Sequence, residues 1–133
     1  MTIHCLKKQL ELLNTILKEE KEKENYVIVG GDFNHDIADS INSFETEQEI
    51  PKWVYVLNDE DLQDGYKFAT SKNIPTCRSS DIAYQEGVNY SVVLDGFIVS
   101  DNVIVNSVTN MSQEGELFVY SDHNPVELKF VLA

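Results

Sequence analysis

The segment from Tyr26 to Asp36, YVIVGGDFNHD, constrains the fold of this chain more than any other stretch. It begins with four strand-forming residues, which run into Gly30 and Gly31 and then into a group of polar side chains. A short apolar run bounded by glycine predicts a buried strand, here over residues 26–30. The glycines let the backbone turn sharply and leave room for a ligand. Since open α/β sheets place their sites where strands end, the segment predicts either a functional site or an ordinary turn.

The composition predicts one globular domain. A chain of 133 residues, 42% hydrophobic and 25% charged, can bury a core. With 10 basic and 23 acidic residues, the formal charge of -13 argues against broad, non-specific nucleic-acid binding. The two cysteines lie in unlike contexts and imply no disulfide framework. Because neither a membrane segment nor a signal-peptide pattern is found, we expect a soluble protein, cytoplasmic by default and extracellular if a signal preceded Met1.

The spacing of apolar residues predicts one long helix followed by several strands. Leucine and isoleucine recur at three- and four-residue steps over 3–24, with Leu12 and Ile16 widening the apolar stripe and Asn25 as the stop. A segment at 53–57 fits either a strand or a short helix. Further strands are predicted at 66–70, 76–78, 91–100, 103–109 and 126–132, with 103–109 pairing to the strand before it. This order predicts a layered α/β or α+β half-sandwich.

Asp95 lies inside the apolar run 91–100 and therefore needs a partner. Burying a carboxylate without hydrogen bonds is costly, so its side chain either reaches water at an edge or meets a histidine. The best candidate is His123, which follows Asp122 and precedes Pro125. A histidine held by a buried carboxylate has a fixed tautomer and a raised pKa, as a general acid or base requires.

Together with Asp32 and Asn34, these residues form a chemically coherent set. Asp32 offers a carboxylate to a hard divalent cation, and Asn34 offers an amide donor. Hard cations such as Mg²⁺ take oxygen ligands and partner phosphates. The set therefore predicts metal-assisted chemistry on a phosphate.

Three motifs in this order and spacing resemble the C-terminal half of the endonuclease/exonuclease/phosphatase family, which includes deoxyribonuclease I. They are Gly-Asp-Phe-Asn at 31–34, Leu-Asp-Gly-Phe-Ile at 94–98 and Ser-Asp-His at 121–123. The helix that runs into the first motif also fits, so the resemblance covers essentially the whole chain. It implies a DNase I-like four-layer α/β sandwich with mostly antiparallel or mixed sheets, of which residues 1–133 would be a single partial domain, the C-terminal half.

The resemblance implies a metal-dependent phosphoesterase. His123 would handle the proton of the attacking water and Asp95 would orient the imidazole. Asp122 and Asp32 would hold Mg²⁺, with Mn²⁺ or Ca²⁺ as alternatives. Asp32 and Asn34 would bind the scissile phosphate and steady the developing charge. Whether the histidine or Asp32 takes the proton stays open.

Several other residues near these motifs have more than one interpretation. The resemblance also implies that Thr76-Cys77-Arg78 lies where relatives have a threonine-containing strand that lines the site. Arg78 is a candidate phosphate contact, although a surface arginine is the alternative. His35 and Asp36 either flank the site or are ordinary turn residues. Gly96 stands where many DNA-cleaving relatives carry a large aromatic side chain. This difference and the acidic surface argue against a DNA-repair enzyme and favour a phosphoesterase whose substrate the sequence does not identify.

Two rival hypotheses remain at this point. The family's N-terminal half supplies a metal-binding glutamate and an asparagine near the phosphate, so this chain could be a catalytically inactive half-domain. It would then act only by association with another chain, through an uncovered sheet face that also predicts self-association or poor solubility. A calcineurin-like metallophosphoesterase is the other hypothesis, since Asn34-His35-Asp36 resembles the Asn-His-Asp/Glu motif of that family. The Asp-x-His motif before it and the Gly-His-x-His motif after it are missing from this sequence.

Overall fold

The chain has a mixed α/β architecture, as the sequence predicts. The computed structural model describes residues 3–111 and 117–133. Within these ranges, no helix is long and apolar enough to cross a membrane. The described residues form one α-helix, one 3-10 helix and strands that pair antiparallel: α1 (Ile3–Glu22), 3-10 helix (Asp59–Asp61), β1 (Ile28–Asp32), β2 (Tyr66–Ala69), β3 (Cys77–Arg78), β4 (Ser91–Val92), β5 (Asp95–Ser100), β6 (Val103–Asn110) and β7 (Val126–Leu132).

The helix α1 lies on the sheet through a single apolar stripe. Leu6 and Leu17 are buried, and Leu10 and Leu13 pack beside them. Leu12 and Ile16 do not widen this stripe, because their side chains are 68% and 55% exposed. The helix ends at Glu22, three residues before the predicted stop. Glu24 then adopts a left-handed φ of 59°, which turns the chain towards β1.

The buried strand at the centre of the fold is β5 and not the glycine-bounded strand. The three-stranded sheet has the order β1-β5-β2, so β1 forms an edge. β1 spans Ile28–Asp32, later than the predicted 26–30, and most of its residues are exposed. Only alternate side chains such as Val29 face α1, where they pack around the fully buried Ile98. The prediction of a buried strand was therefore wrong for β1, because only one face of this edge strand is covered and Ile28 remains exposed although the run is apolar throughout.

The predicted strand 91–100 is two strands separated by Val93 and Leu94. The Val93 N–H donates to Ser40 Oγ at 2.9 Å, and the Leu94 N–H donates to Thr76 Oγ1 at 2.9 Å. Because these two amides bond to side-chain hydroxyls, they cannot continue a strand ladder there. An uninterrupted apolar run did not reveal this break.

The strand pair β6–β7 packs on the sheet face opposite α1. The expectation that 103–109 pairs with the preceding strand was wrong, since β6 pairs with β7. Val103 packs against Val99 and Ala69 on that face. The segment 53–57 forms neither a strand nor a helix and contributes one isolated bridge, Asp36 to Val56.

Candidate active site

The register of two strands brings Asp32 and Asp95 together. They are Cα partners at the last pair of the antiparallel β1–β5 ladder. Residues directly opposite each other in such a ladder project from the same face, with Cβ atoms about 5 Å apart. Two carboxylates therefore share one rim of the sheet. Like charges in this position are destabilising unless a proton or a cation lies between them.

A short stretch before β7 delivers His123 to the same rim. His123 forms an isolated antiparallel bridge with Cys77 of β3. The neighbours on either side extend the pairing, because the Arg78 N–H donates to the Asp122 carbonyl at 3.0 Å and the Asn124 N–H donates to the Thr76 carbonyl at 2.8 Å. Strand β3 thus fixes the position of the imidazole relative to the two carboxylates.

The imidazole of His123 lies between the two carboxylates. Its Nδ1 is 2.9 Å from Asp95 Oδ2, and its Nε2 is 3.9 Å from Asp32 Oδ2. The predicted pairing of Asp95 with His123 is confirmed. Since the ionised Asp95 carboxylate can only accept, the geometry fixes the Nδ1–H as donor and leaves Nε2 facing Asp32.

Thr76 holds Asp95 in place. The resemblance implies that a threonine-containing strand lines the site, but it does not give the hydroxyl this role. The Thr76 side chain is fully buried, and its Oγ1 accepts the N–H groups of Leu94 and Asp95 at 2.9 and 3.0 Å. The residue pattern of this short strand does not show which groups bond to the hydroxyl. The role appears only because the strand break at 93–94 points two amides at one hydroxyl.

The rim favours additional positive charge. Burial raises the pKa of the Asp95 carboxyl, and the negative charge of Asp32 adds to the rise, against hydrogen bonds from His123 and Thr76. Burial by itself would lower the pKa of His123, but the hydrogen bond and charge of Asp95, with the charges of Asp32 and Asp122, outweigh it, so the pKa is raised. Both shifts have the sign expected where a proton or a metal ion is held by clustered carboxylates.

Cys77 is a neighbour of the imidazole, in the strand that the resemblance implies at the site, although the resemblance gives the thiol no role of its own. Its Sγ lies 3.7 Å from His123 Nε2. Burial, reinforced by the charges of Asp95, Asp122 and Asp32, raises the pKa of the thiol to about 12. The side chain is therefore a neutral thiol at physiological pH. The pairing of β3 with 122–124 brings this side chain against the ring of His123.

The other predicted site residues are placed differently. Asn34 is exposed and lies two residues after β1. Its backbone N–H donates to Asp32 Oδ1 at 2.8 Å, and its left-handed φ of 58° makes the chain turn there. The carboxylate of Asp122 is outside the group of ligand atoms formed by Asp32, Asp95 and His123. The Arg78 guanidinium donates to the carbonyls of Ser79 and Ile82, at 3.0 and 3.3 Å, and so bonds to its own loop.

His35 and Asp36 are fully buried supports of the loop that follows Asp32. Asp36 Oδ2 accepts the Ser40 N–H at 2.7 Å, and Oδ1 accepts the Ser40 hydroxyl at 3.0 Å. His35 packs against Trp53 and Tyr55, and its Nδ1 accepts the Tyr55 N–H at 3.2 Å. Both residues therefore anchor the loop from inside the protein, unlike the solvent-exposed side chains of an ordinary turn.

The residues of the rim fit a divalent cation. One ligand atom from each of Asp32, Asp95 and His123 lies within 4.8 Å of the others. Over the described ranges, no lysine or arginine forms an ion pair with either carboxylate, and His123 is the basic side chain beside both. Oxygen and imidazole donors suit Mg²⁺, Mn²⁺ or a borderline metal such as Zn²⁺.

Searches of protein-family models, curated proteins and solved structures found no match to this chain. The chemistry of the rim is therefore inferred from its own residues.

Proposed function

We propose that this chain carries the catalytic rim of a metal-dependent phosphoesterase, which hydrolyses a phosphoester by attack of water. One observation carries the proposal. An imidazole is hydrogen-bonded by a half-buried carboxylate through one ring nitrogen, while its other nitrogen faces a second carboxylate in strand register. Carboxylate–imidazole pairs of this kind hold and move protons in general acid–base catalysis.

The proton-transfer role falls on His123 Nε2. Because Asp95 engages Nδ1, the ring is oriented with Nε2 open towards the space beside Asp32. From there the nitrogen would take a proton from water or give one to the leaving oxygen. Asp32 is the second candidate acceptor. Asn34, which adjoins Asp32, would donate its side-chain amide to a phosphate oxygen.

A divalent cation, Mg²⁺ with Mn²⁺ or Ca²⁺ as alternatives, would be held by Asp32 and its neighbours on the rim. When bound, it would offset the negative charge of the phosphate group. An acidic chain needs such a charge, since its formal net charge of -13 otherwise repels a phosphoester. Asp122 would join as a ligand after a movement of its side chain, and Arg78 would reach the phosphate only after leaving the carbonyls of its own loop.

The family resemblance supports the same function. The motifs at 31–34, 94–98 and 121–123 are far apart along the chain, yet they contribute Asp32, Asp95 and His123 to one rim. On this proposal the chain would be the C-terminal half of a DNase I-like sandwich. Further metal and phosphate ligands would then come from an N-terminal half.

The proposal is tested by hydrolysis of bis-p-nitrophenyl phosphate with and without Mg²⁺. We expect Mg²⁺-dependent release of p-nitrophenol that falls by about 10² or more in His123→Ala, as loss of a general acid or base predicts. His4→Ala is the matched control, because His4 is an exposed residue of α1. Turnover that is indifferent to Mg²⁺, or that survives in His123→Ala, would contradict the proposal.

A second candidate function is an inactive half-domain that works by association with another chain. It is favoured by the exposed apolar side chains of Ile28, Phe130 and Leu132, which are 37%, 42% and 53% accessible on strands. Absence of turnover at high enzyme concentration, together with stable binding of a second chain, would favour this function over hydrolysis.

A further inference from the structure

A thiol beside the rim gives the centre a second set of ligands. Cys77 Sγ is 3.7 Å from His123 Nε2, which is the ring nitrogen that Asp95 does not engage. The same nitrogen is 3.9 Å from Asp32 Oδ2. The sulfur and the carboxylate oxygen therefore lie near the same ring nitrogen, and Sγ is outside the compact group of ligand atoms formed by Asp32, Asp95 and His123.

This ligand set differs in metal preference from the carboxylate pair. Mg²⁺ and Ca²⁺ prefer oxygen ligands and do not favour sulfur. Zn²⁺ and the softer Cd²⁺ bind thiolate and imidazole strongly, and Zn²⁺ sites combine cysteine, histidine and aspartate in tetrahedral geometry. A centre that contained only carboxylates and a histidine would discriminate less between these classes.

We propose that the rim contains a binding site for Zn²⁺ or Cd²⁺ formed by Cys77 Sγ and His123 Nε2, which the Asp32 carboxylate joins after a movement of its side chain. On binding, the S–H bond of Cys77 breaks, a metal–sulfur bond forms and the proton passes to solvent. No electrons are transferred. The site overlaps the proposed hydrolytic centre in His123 and Asp32, so the soft metal excludes Mg²⁺ from the rim. It does not depend on phosphoester hydrolysis.

Strand pairing holds the thiol of Cys77 close to the imidazole of His123. Cys77 is held by backbone pairing to Val92 on one side and to His123 on the other. Its side chain therefore stays near the imidazole without a flexible loop having to close. The clustered charges of Asp32, Asp95 and Asp122, which the free thiol experiences, also attract a divalent cation.

The test is a titration of the EDTA-treated chain with Cd²⁺, read by the ultraviolet charge-transfer absorbance of a cadmium thiolate. All measurements are made in the Cys5→Ser background, which leaves Cys77 as the remaining one of the two cysteines. We expect a saturable band at one Cd²⁺ per chain. Mg²⁺ produces no band but weakens Cd²⁺ binding by competition for Asp32.

Variants locate the ligands. Cys77→Ser should abolish the band and lower the Zn²⁺ affinity measured by calorimetry at least about tenfold, the loss seen even for residues that only support a ligand. His123→Asn should keep sulfur but lower the affinity for Zn²⁺. Circular dichroism identifies folded variants, and Cys77→Ala replaces Cys77→Ser if the latter is unfolded.

A band that persists without Cys77, or no band in the Cys5→Ser chain, overturns the inference. A band with no hydrolytic activity under any metal leaves this site intact and removes the proposed function instead. Mg²⁺-dependent hydrolysis without a cadmium–thiolate band supports the proposed function and overturns the thiolate site.

Discussion

At the level of single residues, the rim depends on the hydrogen bond between Asp95 and His123. The two groups stabilise each other's charged forms, although both are partly removed from water. Because the pKa of His123 is raised in the folded protein, the protonated imidazole stabilises the fold. This contribution to stability is fully present below the histidine pKa of the unfolded chain, about 6.5, and is lost as the pH rises through the higher pKa of the folded protein.

The imidazole titration is the first prediction. In EDTA, an NMR titration should place the midpoint of His123 above the ordinary histidine value, and Asp95→Asn should lower it, since burial then acts with less opposition. Asp122→Asn is the matched control and should shift the midpoint less, because Asp122 contributes least of the three acids. A midpoint that is the same in wild type and Asp95→Asn would show that the pair is not formed in solution.

A second residue-scale prediction concerns Thr76. Thr76→Val keeps the shape of the side chain but removes the oxygen that accepts the N–H groups of Leu94 and Asp95. We expect the free energy of unfolding, measured with urea, to fall by about 1–3 kcal/mol, the cost of leaving buried donors unsatisfied. Thr109→Val, at an exposed position of β6, is the control and should change stability little. Equal effects at the two positions would rule out this role for the Thr76 hydroxyl.

At the level of elements, the site exists because β1 and β5 pair in one register. A shift by one residue would place Asp32 and Asp95 on opposite faces of the sheet. Gly96, the neighbour of Asp95, protects this register by allowing close approach. A Cβ atom there would lie 2.8 Å from Ile37 Cδ1 and 3.0 Å from the Ala69 carbonyl oxygen, so Ile37 occupies the space that a side chain at 96 would need.

Gly96→Ala is therefore predicted to destabilise the protein by about 1–3 kcal/mol, the usual cost of overpacking a core. Gly30→Ala on β1 is the comparison, because its Cβ would meet only the ring of Phe97, at 3.0 Å, and a half-buried ring can move. Urea unfolding of the two variants measures the difference. If Gly96→Ala is as stable as the wild type, Ile37 does not pack closely against Gly96 in solution.

At the level of the whole molecule, an acidic surface coexists with uncovered apolar strands. Ile28 on the edge strand β1 and Phe130 and Leu132 on β7 remain exposed. Apolar side chains on strands favour association, whereas the net charge of -13 keeps copies apart. The balance between these forces should depend on salt, since salt screens the charges and leaves the apolar contact.

The last prediction follows from this balance. In sedimentation experiments, the average mass should rise with protein concentration and with ionic strength, and the rise should be reduced in the double variant Ile28→Thr, Phe130→Thr. Val119→Thr removes an exposed apolar residue outside the strands and is the control. A monomer at every concentration and salt would contradict self-association through these strands.

Local elements and the chemistry of single residues could be predicted from the amino-acid pattern. The three- and four-residue spacing of leucines marked α1, and the pattern at 126–132 matched β7 residue for residue. Asp95 was expected to meet His123 because a carboxylate in an apolar strand needs a donor, and this required no knowledge of the fold.

Which strands are neighbours, and which side chains meet as a result, depends on the packing of the folded chain. It made β1 an edge, split 91–100 at two amides bonded to hydroxyls, and placed Cys77 against His123. The physical reason is that periodicity reports only how a segment divides its side chains between two faces. Pairing between strands 60 or more residues apart, as between Asp32 and Asp95, depends on the packing of the whole chain.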